Sequence, residues 1–294
     1  MRWDDDRQSG NILDDRGVSF GGGGGGGMPL MFGGGGLGAI VMIVLALLFG
    51  VDPRMLLQGG GSEYSQTATQ TAPAGPRPDD EDARFAATVL AYTEDTWGQA
   101  FAEQGQRYAP ATLVLYEQGH PTGCGFGQSA MGPFYCPADQ RIYLDLSFFR
   151  ELSGRFGAPG RFAEAYVMAH EVGHHVQNLM GVSEQAQRQQ QRLPRAEGNR
   201  ISVRVELQAD CLAGVWAMRT QQREKFLDPG DVEQGLAAAS AVGDDTLQRQ
   251  TQGRVVPDAF THGSSEQRMR WFRRGMDSGR IDACDTFQGD YSQL

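Results

Sequence analysis

Two pairs of residues, each spaced four apart, constrain this chain more than anything else in it. Residues 169–175 read Ala-His-Glu-Val-Gly-His-His. On an α-helix, positions i and i+4 lie one turn apart on the same face. His170 and His174 can therefore aim two imidazole nitrogens at one point. That geometry suits a tetrahedral Zn²⁺, bound at about 2.0–2.1 Å per nitrogen. Glu171 follows the first histidine, so it stands to the side of the metal and can reach a zinc-bound water as general base. The bland alternative is a pair of satisfied histidines on a polar helix face. A third ligand decides between the two.

The second pair lies in residues 203–216, which read as another helix. Apolar positions recur at Val205, Leu212, Val215 and Trp216, with Ala209 and Ala213 between them. Glu206 and Asp210 share one face of it. Two carboxylates there fit two tasks: Glu206 as the third metal ligand, and Asp210 as acceptor for the far N–H of a ligand histidine. A solvated acidic face would also show two carboxylates, but the apolar residues flanking them argue against water.

These motifs resemble those of the gluzincins, whose second helix carries Glu-x-x-x-Asp. More closely, the chain is similar to the bacterial neutral zinc metallopeptidase family, through residues 129–137, 142–145, 170–178 and 206–211. The resemblance spans residues 79–294 and the short front end. It implies zinc at His170, His174 and Glu206, Glu171 as catalytic base, and a zincin-like domain.

The chain has 294 residues and a net charge of −10, with no Lys/Arg cluster. Nucleic acid is therefore not an expected partner. After residue 79 there is enough chain for one real core. The front reads differently. Glycine runs at 21–27 and 33–36 suit a spacer. The apolar run 37–49 is shorter than the roughly 20 residues a spanning helix needs. No charge occurs between Arg16 and Asp52, however, and the expectation is a single membrane anchor at 37–51. Arg2, Arg7 and Arg16 precede it and only Arg54 follows closely, which puts the N-terminus in the cytoplasm and the rest outside. The expected division is a cytoplasmic Gly-rich segment at 1–36, the anchor at 37–51, a linker at 52–78 and the metallopeptidase domain at 79–294.

Within that domain the pattern predicts an α+β fold, mostly helical, with a small sheet before the helix of His170. Helical spacing of Phe85, Val89, Tyr92, Thr96 and Phe101 marks a first helix. Residues 112–116 and 141–146 read as strands, and 142–146 as the edge strand that could pair with an extended peptide. Residues 119–137 read as a Gly- and Pro-rich loop. Further helices are expected at 148–156, 162–179, 197–222 and 231–242. A last one follows Ser264, where Gln267 completes a capping box. Outside the cytoplasm, Cys124 and Cys136 would be the first disulfide pair and Cys211 and Cys284 the second; in the cytoplasm all four would be thiols.

His262 is the best candidate to steady a developing oxyanion, with a plain capping or core histidine as the other reading. His175 points away from His174 and reads as structural. His120 receives no role, and Tyr135 and Tyr143 read as ordinary strand residues. The functional expectation is a zinc-dependent peptidase acting on extracytoplasmic proteins. A membrane-anchored assembly module with a structural or vestigial zinc, and a zinc hydrolase of non-peptide amides, are the alternatives.

Overall fold

Four short strands pair in the order β1-β2-β6-β5: β1 (Ile12–Asp14), β2 (Thr112–Leu115), β5 (Phe134–Cys136) and β6 (Arg141–Leu144). The computed structural model describes residues 1–18, 76–77 and 79–294. β1, β2 and β6 run parallel, with Ile12 opposite Leu113 and Val114 opposite Tyr143. β5 runs antiparallel to β6, with Tyr135 opposite Ile142. Side chains alternate between the two faces, as a period of two requires. Ile12, Leu113, Leu115, Ile142 and Leu144 enter the main core, while Val114, Phe134, Cys136 and Tyr143 form a smaller cluster on the other face. A sheet covered on both sides explains why its parallel strands are apolar throughout.

The sheet departs from the sequence expectation in two ways. The strand at 141–146 is not an edge: β6 lies between β2 and β5, and the free edge on the cleft side is β5. The stretch 119–137 is not one loop either. It holds the hairpin of β3 (Gly119–Thr122) and β4 (Gly125–Gln128), and then β5. The Cys124–Cys136 disulfide staples this region together, with Cα atoms 5.8 Å apart.

The helices are α1 (Glu81–Ala102), α2 (Ser147–Gly154), α3 (Arg161–Leu179), α4 (Val182–Gln190), α5 (Arg195–Glu224), α6 (Asp231–Ala241), α7 (Asp244–Gln252) and α8 (Ser265–Ser278). The fold is thus mostly helical with a small sheet. Among the described residues, no helix is long and apolar enough to cross a membrane. The anchor expected at 37–51 and nearly all of the linker lie outside the described residues.

Residues 1–18 do not stand apart from the domain. Trp3 is buried and meets Phe85 of α1 edge-on at 5.2 Å. Buried Asp14 accepts from Arg16 Nε at 2.8 Å and pairs with Arg77. β1 itself supplies one edge of the sheet.

Two close helix crossings position the site. At the first, α3 meets α5 where Gly173 faces Ala209; a Cβ on Gly173 would lie 3.0 Å from the Ala209 carbonyl oxygen. A side chain there would require the helices to give by a few tenths of an ångström. At the second, α8 meets α5 so tightly that a Cβ on Gly275 would lie 1.9 Å from the Cys211 carbonyl oxygen. The Cys211–Cys284 disulfide fastens α5 to the turn after α8. Ser264 and Gln267 form the expected capping box: Gln267 N–H donates to the Ser264 hydroxyl at 3.2 Å, and Ser264 N–H donates to Gln267 Oε1 at 2.9 Å.

Candidate metal centre

α3 carries His170 and His174 one turn apart, and their Nε2 atoms lie 3.2 Å from each other. The Gly173–Ala209 crossing brings Glu206 of α5 to the same point. Its Oε2 is 3.2 Å from His170 Nε2, and its Oε1 is 3.6 Å from His174 Nε2. A tetrahedron with bonds of about 2.0–2.1 Å has edges of about 3.3 Å, so these three donors have the spacing that zinc needs. The group of His170, His174 and Glu206 could hold a metal ion.

The far nitrogens strengthen that fit. His170 Nδ1 lies 2.8 Å from Asp210 Oδ1, and His174 Nδ1 lies 2.9 Å from Gln177 Oε1. Both acceptors call for a proton on Nδ1, which leaves each Nε2 lone pair facing the shared point. Two lone pairs at that separation repel unless a cation or a proton lies between them.

The two backing groups differ. Asp210 is fully buried and takes both ends of Arg268: Nε at 2.8 Å to Oδ2, and Nη2 at 2.9 Å to Oδ1. Tyr166 also donates its hydroxyl to Asp210 Oδ1 at 2.5 Å. Gln177 is neutral. Its amide nitrogen donates to the Val205 carbonyl at 2.7 Å and to Gln208 Oε1 at 2.9 Å, which turns its oxygen toward His174. Burial opposes charge on His170, but the Asp210 carboxylate outweighs it and raises the pKa to about 9. At His174 burial wins, and the pKa falls to about 4.

Glu171 is buried beside the donors. Burial and the neighbouring Glu206 charge push its carboxyl up to about 7. His262 reaches the same cleft from the loop before α8. Asp244, the first residue of α7, holds that loop: its Oδ2 accepts the backbone N–H groups of His262, Thr261 and Gly263 at 2.6, 2.7 and 3.1 Å. Its Oδ1 lies 3.2 Å from His262 Nδ1. Burial opposes charge on His262, yet the Glu206 and Asp244 carboxylates raise its pKa above the ordinary value. The remaining wall is apolar, with Met131, Phe134, Phe148, Val167, Val205 and Leu247 around the opening.

The structure therefore brings His170, Glu171, His174, Glu206, Asp210 and His262 into one cluster. His175 stays outside it, accepting or donating at Tyr135 Oη (3.1 Å) and donating to the Ala109 carbonyl (2.7 Å). Gln177, Arg268 and Asp244 are the members whose tasks sequence reasoning did not reach. For Gln177 the available signal was its spacing from His174, one turn along the same face. Asp244 offered none, because its partner lies 18 residues away on a loop.

The chain belongs to the family described as "Putative neutral zinc metallopeptidase", whose model matches residues 1–287. An uncharacterized protein of Escherichia coli (strain K12) is 49% identical over 289 residues, covering 98% of this chain and 99% of the relative. An uncharacterized protein of Mycobacterium tuberculosis (strain H37Rv) is 41% identical over 256 residues, covering 82% of this chain and 85% of the relative. No solved structure matches the chain.

Proposed function

We propose that the chain is a zinc metallopeptidase that hydrolyses peptide bonds of proteins outside the cytoplasm. One observation carries this reading: a three-donor cluster with zinc spacing has a buried carboxyl, Glu171, set beside it. Zinc held by His170, His174 and Glu206 would polarise a scissile carbonyl and acidify a water. Glu171 then carries the proton, accepting it from the attacking water and delivering it to the departing amine nitrogen. Charged His262 donates from Nδ1 to Asp244 and has Nε2 left to donate to the developing oxyanion. Asp210 and Gln177 keep the two ligand imidazoles in orientation. The apolar wall excludes bulk water and suits a peptide with apolar side chains. The two disulfides support a place outside the cytoplasm, and the apolar run at 37–51 supports attachment to the membrane.

An assembly module with a structural zinc would have no use for a carboxyl at position 171. The test is Glu171→Gln, assayed on casein and on an extract of envelope proteins. The variant keeps zinc and loses turnover on this reading. Cleavage by the variant at the parent rate would overturn it, and a parent inactive on both substrates would favour the assembly module.

A further inference from the structure

The placement of residues 1–18 has a consequence for how the chain meets a membrane. β1 is hydrogen-bonded to β2 in a parallel ladder, with Ile12, Leu13 and Asp14 opposite Leu113, Val114 and Leu115. The attachment is not confined to the strand. Trp3 and Ile12 are core residues, 5% and 1% exposed. Arg7 pairs with Glu94 at 3.0 Å and Asp95 at 2.7 Å, both on α1. Ser9 N–H donates to the Ala87 carbonyl at 3.0 Å, and His120 of the hairpin lies 3.0 Å from Asp15. The Met1 amine lies 3.0 Å from Asp231 at the start of α6. The contacts thus run the full length of the segment and reach four separate parts of the domain.

Paired strands lie about 4.7–4.9 Å apart, whereas the hydrocarbon core of a bilayer is about 30 Å thick. One crossing between residues 18 and 79 would put β1 and β2 on opposite sides of that thickness. Ladder and single crossing exclude each other. We infer that residues 1–18 are the first structural element of the domain and share its compartment. The single-pass topology expected from the arginine count is the opposing reading, and the two differ in where residues 1–18 lie. The shared compartment holds whatever the domain catalyses.

The four cysteines are all engaged in disulfides, so a new surface thiol can be labelled selectively. Asp5→Cys and Glu266→Cys each place a thiol at an exposed position, one in the first segment and one on α8. The full chain is expressed in bacteria, and intact spheroplasts are treated with a membrane-impermeant maleimide before and after permeabilisation. The two positions are expected to label alike, to the same extent from outside. Labelling of one and protection of the other would overturn the inference. A second measurement uses the register directly: in the Leu13→Cys, Val114→Cys double variant, the new thiols should cross-link within the membrane-bound chain under mild oxidation. A chain whose positions 5 and 266 label alike but in which these thiols never cross-link would deny β1 its place in the domain and overturn the argument at its source.

Discussion

His170 and His174 occupy one face of one helix, yet what stands behind them is chemically opposite. Behind His170 lies a carboxylate locked by Arg268 and Tyr166; behind His174 lies an amide locked by Val205 and Gln208. The contrast follows from charge. Buried ions persist only when paired. The Asp210 carboxylate has its own guanidinium, so it can lend electron density to His170 at no net charge. Among the described residues the side chain of Gln177 bonds to His174, Val205 and Gln208 and to no Lys or Arg, and a carboxylate there would be buried without a cation beside it. An amide fixes the ring orientation without adding charge. With zinc in place, the positive charge of the ion and Arg268 balances Glu206, Asp210 and ionised Glu171, and a glutamate at 177 would break that balance. The comparison teaches that orientation and charge are separate requirements, met here by separate residues.

The largest expected effect tests whether both sides serve one reaction. Glu171→Gln should lower kcat by about 10²–10⁴-fold while zinc content and fold are unchanged; metal analysis and a peptide assay on the same sample would check this. Next comes the charged side. Asp210→Asn strips Arg268 of its partner, so denaturant unfolding should show a loss of about 3–5 kcal/mol, with zinc bound about 10–100-fold more weakly. Gln177→Ala should cost less. It leaves no buried charge behind, so a loss of about 1–3 kcal/mol is expected, with zinc about 10-fold weaker. Equal losses in these two variants would break the comparison.

The smallest effect sharpens it. In metal-free protein the pKa of His170 is raised from 6.5 to about 9, so its contribution to stability is complete below 6.5 and is lost as pH rises through 9. The pKa of His174 is lowered from 6.5 to about 4, so its contribution is present above 6.5 and is lost as pH falls through 4. Melting temperatures across this range should therefore fall on both sides of a maximum. Asp210→Asn should flatten the alkaline limb, and Gln177→Ala should leave that limb in place.

Much of the site was legible because it is written in local spacing. His170, His174, Glu206 and Asp210 share helix faces by arithmetic, and the Ser264–Gln267 cap is a four-residue pattern. The two disulfide pairings also follow the expectation from the chain order of the cysteines. What remained hidden depends on partners far along the chain. β1 is three residues long in a charged segment, with too little alternation to show, and it is a strand only because β2 lies beside it. The edge position passed from β6 to β5 because three residues between a glycine-rich loop and a turn carry no period. Asp244 looks like any acidic residue at a helix start until the loop of His262 folds back over it. α7, nine residues with little apolar content, gave no helical stripe to read.

The meeting of Gly173 with Ala209 bears on how the three donors are spaced. The separation of α3 and α5 there sets the distance from the two imidazoles to Glu206. A methyl group at 173 would sit 3.0 Å from the Ala209 carbonyl and drive the helices apart by a few tenths of an ångström. A shift of that size would carry Glu206 away from His170 and His174 and loosen the donor spacing. The spacing of the three donors thus rests partly on a residue that has no donor atom in its side chain.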